Sequence, residues 1–272
     1  MPNAITNGIR TYYEEAGQGE PLVLIHGHTA DLRMWAGQVT VFARRYRVIT
    51  YDVRDHGRSE APRDGYNWPT YAADLRDLLR HLNIDSAHLL GLSMGGGIAI
   101  QLALDYPDMA RSLILADAGV EGFHYSSDFA DALEGFGEIA RREGIRAVME
   151  KVWLPHPVFD GIRRHPQAFA RLREMVLTFR GEEYLHAQPY RLNPKPQIDR
   201  LGEIRVPTLI IAGSDDMDDF KLLAECVHSC IEGSALRYIA GAGHMVNMEQ
   251  PQAFNEAVMA FLEGVSNGQW HS

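Results

Sequence analysis

The sequence predicts an α/β fold: a mainly parallel, twisted sheet with helices on both faces and an inserted helical block. Three observations carry this. Near-continuous apolar runs recur along the chain, at PLVLIHG (21–27), RVITYDV (47–53) and AHLLGLS (87–93), as expected of strands buried on both faces. Stretches with helical apolar spacing alternate with them, and right-handed crossovers between such units make the strands parallel. The alternation stops near residue 119 and resumes near 196, which marks the insert.

In chain order, IRTYYEEAG (9–17) is a strand that ends in a glycine-rich turn, followed by the runs at 21–27 and 47–53. Pro69 to Leu82 is a helix, with Leu75, Leu78, Leu79 and Leu82 on one face and proline in the first turn. The strand at 87–93 leads into a helix from Met94 to Tyr106, and SLILADA (112–118) is the next strand. Beyond it Phe129, Leu133, Phe136 and Ile139 have helical spacing, followed by Ile145, Val148, Met149 and Val152. Ala168–Arg180 and Glu182–Leu192 also look helical. After RLNPKPQ (191–197) the rhythm returns. VPTLIIAG (206–213) is a strand, a helix runs from about Phe220 to Ser229, ALRYIAG (235–241) is a strand, and a last helix opens at Pro251. The expected organisation is a core of residues 1–118 and 196–272 around an insert of 119–195, with no internal repeat.

A chain of 272 residues with 46% hydrophobic and 23% charged residues has the makeup of a globular protein with a sizeable core. Its net charge of −10 argues against nucleic-acid and anionic-membrane partners, which need a basic footprint. Cys226 and Cys230, four apart, read as ordinary packed thiols, since no disulfide framework or metal-type C-x-x-C is present. The segment MPNAITNGIRTYYEE lacks the basic and apolar regions of a signal peptide, and no apolar run approaches the roughly 18 residues of a membrane span. A cytoplasmic protein is the expectation. Oligomeric state has no signature in the sequence.

The chemistry centres on Gly91-Leu92-Ser93-Met94-Gly95, between a strand and a helix. In that context small residues allow a sharp reversal that presents one hydroxyl, and Ser93 is the predicted nucleophile. A serine hydroxyl needs a base to take its proton. Of twelve histidines, His244 in GAGHMVNMEQP is the candidate, on a loop just after a late strand. His81, His88 and His228 fall inside helix or strand patterns. Glu249 and Pro251 read as start signals of the last helix. A carboxylate must orient the imidazole. Asp216, Asp215 and Asp117 compete for that role, in that order, the first two within a four-aspartate loop whose other members cap the next helix. Acyl transfer also needs donors for the developing oxyanion. The N–H of Met94 is one, and the N–H of His28, after LIHG, is the other. His26 braces that loop.

The ordered set LIHGHT, YDVRDHGRS, GLSMGGG, AGSDD and GAGHMVNMEQP resembles the α/β-hydrolase superfamily over nearly all the chain outside the insert. The resemblance implies that the acid lies third after the strand-end glycine, so Gly213 points to Asp216. It also implies that residues 119–195 form a helical cap between the sixth and seventh core strands. One departure is Asp55, where many members have glycine. Aspartate tolerates the left-handed region better than most residues, so a local adjustment is expected there.

DLRMWAGQ with GLSMGGGIAIQLAL is similar to esterases and enol-lactonases of the 3-oxoadipate type. Serine at the elbow disfavours haloalkane dehalogenases and epoxide hydrolases. HGHT lacks the GPG run that C–C bond hydrolases often show. The reading is therefore a serine hydrolase of small-molecule carboxylic esters or lactones, with no cofactor and no metal. C–C hydrolysis, perhydrolase activity and a small-molecule receptor with vestigial activity are the rival readings. Trp35, Trp153, Phe159, Met217 and Met245 are the candidate substrate-pocket residues, and the insert's Phe123, Phe129, Phe136, Leu154 and Phe179 divide between helix packing and pocket lining.

Overall fold

The fold is described from a computed structural model covering residues 2–186 and 193–270. Its strands are β1 (Asn3–Thr6), β2 (Ile9–Ala16), β3 (Glu20–Ile25), β4 (Tyr46–Tyr51), β5 (Ala87–Leu92), β6 (Ala110–Ala116), β7 (Thr208–Gly213) and β8 (Ala235–Ile239). They form one sheet in the order β1-β2-β4-β3-β5-β6-β7-β8. β3 to β8 are mutually parallel, while β1 and β2 pair antiparallel. The predicted α/β class and parallel sheet are therefore present.

β1 is not among the strands that the apolar runs predict. It has only four residues and is held by a two-residue Asn7-Gly8 turn, both with positive φ (46° and 86°), the turn chemistry that suits a hairpin.

Alternate residues of each central strand feed two apolar layers. Leu22, Leu24, Val48, Leu90, Leu92 and Ile114 face one side, with Phe42 and Phe254. Val23, Ile25, Ile49, Leu89 and Leu113 face the other, with Leu75, Leu78 and Ile98. Each such side chain, fully buried, is worth about 1.5–3 kcal/mol against exposure. The helix Trp68–His81 starts where the Asn67 side chain accepts the Thr70 N–H at 3.0 Å. The helix Met94–Asp105 is buried from Met94 through Leu104, which matches its lack of a polar face.

Between β6 and β7 the chain forms helices Ser127–Glu143, Ile145–Val148, Pro166–Thr178 and Glu182–Leu185, with a π-helical turn at Met149–Trp153. The helix expected over Glu182–Leu192 is shorter than its apolar spacing suggests, because His186 leaves helical geometry at φ −116°. The remainder, 187–192, lies outside the described residues. The expected packing of both thiols also needs correction: Cys226 is half-buried and Cys230 is exposed. Among the described residues no helix is long and apolar enough to cross a membrane.

Ser93 follows β5, Asp117 follows β6, Asp216 lies three residues beyond β7 and His244 five beyond β8. Four adjacent parallel strands thus deliver these residues to one edge of the sheet, at the carboxyl ends where open α/β sheets bind ligands.

Candidate active site

Ser93 has φ +52° and ψ −116°, a region a non-glycine residue occupies only when its surroundings impose it. Its N–H donates to Ala116 O at 2.9 Å, and its carbonyl accepts from Gly96 and Gly119 N–H, both at 2.9 Å. Glycine is required beside it by close approach. A Cβ on Gly91 would overlap the Gly95 carbonyl, and one on Gly95 would overlap the Ile25 carbonyl. The helix therefore starts hard against the strand ends, with half-buried Ser93 at the apex of the turn.

Met94 N–H is the first of that helix, where no preceding turn offers an acceptor. The loop after β3 passes opposite: a Cβ on Gly27 would stand 3.5 Å from Ser93 Cβ. Among the described residues neither the Met94 nor the His28 N–H donates to a protein acceptor. Both expected oxyanion donors are therefore uncommitted.

Two neutral imidazoles support this loop. His26 Nε2 accepts from Val53 N–H at 2.9 Å, so its Nδ1 carries the proton donated to Gly27 O, also at 2.9 Å. His56 Nε2 accepts from Thr29 N–H at 3.1 Å, and its Nδ1 donates to Arg54 O at 2.8 Å. Burial lowers the pKa of both, which keeps this arrangement at neutral pH. His26 thus braces the loop, as its position beside Gly27 predicts.

The helical segment grips the same loop from above. Tyr184 Oη and His28 Nε2 are 2.8 Å apart, and Trp153 Nε1 donates to Thr29 Oγ1 at 2.8 Å. Burial, with His26 as the lesser cause, brings His28 down to about 3, so its side chain is a neutral hydrogen-bonding group.

His244 Nδ1 donates to Asp216 Oδ2 at 2.9 Å, and Asp216 Oδ1 accepts from Met217 N–H at 2.7 Å. Nε2 of His244 is thereby left to exchange a proton. Ser93 Oγ makes no hydrogen bond among the described residues; such serine–imidazole bonds often tighten only when substrate arrives. Asp215 is exposed and bound by Arg164 Nη2 at 3.0 Å and Ser214 Oγ at 2.9 Å, away from His244. Asp117 is close: one ligating atom each from Asp117, Asp216 and His244 lie within 4.8 Å of one another. A metal would need that donor set, but His244 Nδ1 is already committed to Asp216.

Two contributors escape the sequence reading. The Phe220 ring packs against the His244 imidazole, tilted by 47° with ring centroids 4.1 Å apart. Its signal is its position four residues after Asp216, on the first turn of the helix Asp218–Cys230. Glu249 closes the short helix Val246–Glu249, and its Oε2 and Oε1 accept from Gly243 N–H (2.8 Å) and Met245 N–H (3.1 Å). It braces both sides of His244.

The pocket candidates separate. Trp153 contacts Phe136 and Phe159, at 5.4 and 5.2 Å between ring centroids, and reaches His28 at 6.5 Å. Phe129 bridges from Trp153 (6.2 Å) to Phe220 (5.3 Å). An aromatic layer therefore spans from the His28 loop to His244. Met245 is buried and Met217 half-buried beside the acid–imidazole pair. Trp35 is fully buried, and its ring meets Phe254 of the helix Pro251–Ser266 at 6.3 Å, a packing contact in the core.

Residues 20–140 match the family model described as alpha/beta hydrolase fold. The chain is 30% identical to 3-oxoadipate enol-lactonase 2 of Acinetobacter baylyi over 263 residues, 92% of each protein. Among solved structures, the enol-lactonase from Burkholderia xenovorans LB400 superposes with a TM-score of 0.83 at 28% identity, over 96% of this chain and all of that one. A thermophilic esterase from Thermogutta terrifontis gives 0.84 at 29% identity, over 97% of this chain and 98% of that one.

Proposed function

The chain belongs to the alpha/beta hydrolase family, and from that premise we propose that it is a serine hydrolase of small-molecule carboxylic esters or lactones. The observation that carries the reading is the His244–Asp216 pair, at 2.9 Å, on the same sheet edge as the constrained elbow of Ser93. The enol-lactonase and esterase relatives support the same class of bond.

In this reading Ser93 Oγ attacks the carbonyl carbon while His244 Nε2 takes its proton. Asp216 holds the ring in the Nδ1–H tautomer and stabilises the imidazolium. The Met94 and His28 N–H groups receive the tetrahedral oxyanion. His244 then protonates the departing oxygen, leaving an acyl group on Ser93, and next activates the water that releases it. For a lactone the leaving oxygen stays tethered to the acyl group. Residues 119–195 act as the cap, and the aromatic layer led by Trp153 and Phe129 favours a small to medium, largely apolar acyl group.

Hydrolysis of p-nitrophenyl esters from acetate to decanoate, and of simple lactones, tests this. Wild type should turn over many times, and Ser93→Ala should lose on the order of 10⁶-fold in kcat with its melting temperature kept. Equal hydrolysis by Ser93→Ala would overturn the reading.

A further inference from the structure

Asp117 has no part in the mechanism above, yet it is the most deeply buried carboxyl at the site, with 1% of its surface exposed. It directly follows β6, the strand between the one that delivers Ser93 and the one that delivers Asp216. Its backbone is held at φ +40° by an N–H bond to Ile211 O at 2.8 Å. Its Oδ1 accepts from Gly213 N–H at 3.0 Å, and its buried carboxyl faces that of Asp216, with which it can share a hydrogen bond only as the neutral acid. A second carboxyl buried against the acid–imidazole pair is costly to keep there, so the position calls for a reason beyond capping a strand end.

We propose that Asp117 is a second orienting acid for His244, a positioning carboxyl standing behind Asp216 that takes over its role when Asp216 is neutralised. The inference rests on the serine-hydrolase reading of the same site. Geometry carries it, because an atom of Asp117 lies within 4.8 Å of both the imidazole and the Asp216 carboxylate. Asp216 and His244 are the titratable groups facing it, with Glu249 beyond them. Two carboxylates so close in a buried site cannot both be ionised. Asp216 accepts from both Met217 N–H and His244 Nδ1, whereas Asp117 accepts from Gly213 N–H alone, so the charge belongs on Asp216. Burial first, and the Asp216 charge second, raise Asp117 well above the usual carboxylate range. In wild type Asp117 is therefore a neutral acid that does not repel its neighbour. Once Asp216 becomes an amide, that repulsion is gone and Asp117 is the carboxyl left to face the imidazolium.

The test compares wild type, Asp216→Asn and the double variant Asp216→Asn/Asp117→Asn on one p-nitrophenyl ester across pH. Replacing a sole orienting acid by its amide costs about 10⁴-fold in kcat. Asp216→Asn should fall well short of that loss. Its acid limb should be steeper than wild type, because Asp117 as well as His244 must then lose a proton. The double variant should show the full loss. An Asp216→Asn variant already as inactive as the double variant would overturn the proposal. An independent readout is the His244 imidazole pKa by NMR, which a facing carboxylate raises. It should step down in Asp216→Asn and again in the double variant, and a single step would count against Asp117. That ordering holds even if wild type cleaves no ester, so failure of the functional reading is distinguishable. If the second amide lowers the melting temperature, Asp117→Ser replaces it, keeping an acceptor for Gly213 N–H without a charge.

Discussion

Tyr184 Oη lies 2.8 Å from His28 Nε2, tying the helical segment between β6 and β7 to the loop after β3. Tyr184→Phe removes this one bond and keeps the ring contacts with Phe136 (5.2 Å) and Phe179 (6.4 Å). A neutral hydrogen bond is worth about 1 kcal/mol net, or about a fivefold change in rate. In the proposed mechanism this bond positions an oxyanion donor, so the loss should fall on kcat, with KM moving less. Steady-state kinetics on a good ester substrate checks this, and an unchanged kcat would detach Tyr184 from the oxyanion loop.

One residue before Tyr184, Glu183 offers its N–H to Asp55 Oδ2 at 3.3 Å, and its Oε1 stands 3.5 Å from His28 Nε2. Burial raises both carboxyls, Asp55 from 3.8 to about 7 and Glu183 from 4.5 to about 8, with the Asp55 charge a further cause at Glu183 and the Glu182 charge a lesser one at Asp55. Arg180, with Nε 3.8 Å from Asp55 Oδ1, acts in the opposite sense. A folded-state value above the unfolded one means the native state binds more protons. The stabilisation is complete below about pH 4 and is lost as pH rises through about 7 and 8. Melting temperature should therefore fall from pH 5 to pH 8.5. Asp55→Asn, which keeps a residue suited to φ +68°, should flatten that fall and melt higher than wild type at pH 8.5. Parallel melting curves for the two proteins would refute the assignment.

How much of this was legible in the sequence depends on the range of each interaction. The central strands are visible because burial on both faces leaves unbroken apolar runs, and Ser93 because the close approaches at Gly91 and Gly95 exclude larger residues. Gly213 and the resemblance point to Asp216 in its loop, and in the fold it pairs with His244. The Tyr184–His28 bond joins residues 156 apart, and nothing local announces it. Glu249 was legible only as a helix signal, because its carboxylate serves a loop folded back on it. Trp35 sat near a catalytic loop in sequence, yet its ring turns into the seam with Phe254. Asp55, the departure from the expected glycine, does adopt the left-handed backbone anticipated for it.

Glu249→Ala should uncouple the His244 loop from its brace. It strips the acceptors from Gly243 and Met245 N–H, two buried donors on either side of His244. Leaving buried donors unsatisfied costs about 1–3 kcal/mol, and the loosened imidazole should lower kcat by about tenfold or more. Glu249→Gln keeps an oxygen acceptor for one N–H, so its kcat should lie between wild type and alanine. Equal activity in all three proteins would show that His244 is held by Asp216 alone.

Gly91→Ala and Gly37→Ala should shift stability in opposite directions. At Gly91 the new methyl would overlap the backbone carbonyl of Gly95, which no side-chain rotation can relieve, so the elbow itself must move. Overpacking against backbone costs about 1–3 kcal/mol or more, and a chain of this size loses about 2–4 °C in melting temperature per kcal/mol. Activity should fall with it, since Ser93 moves too. At Gly37, exposed in the helix Ala36–Phe42, a Cβ would meet nothing within 4 Å. Alanine there should stabilise by about 0.5–1 kcal/mol through helix preference and a less flexible unfolded chain, leaving kcat unchanged. Thermal melts of the two variants check the contrast. A Gly91→Ala protein as stable as wild type would mean that the turn at Ser93 has room the structure denies it.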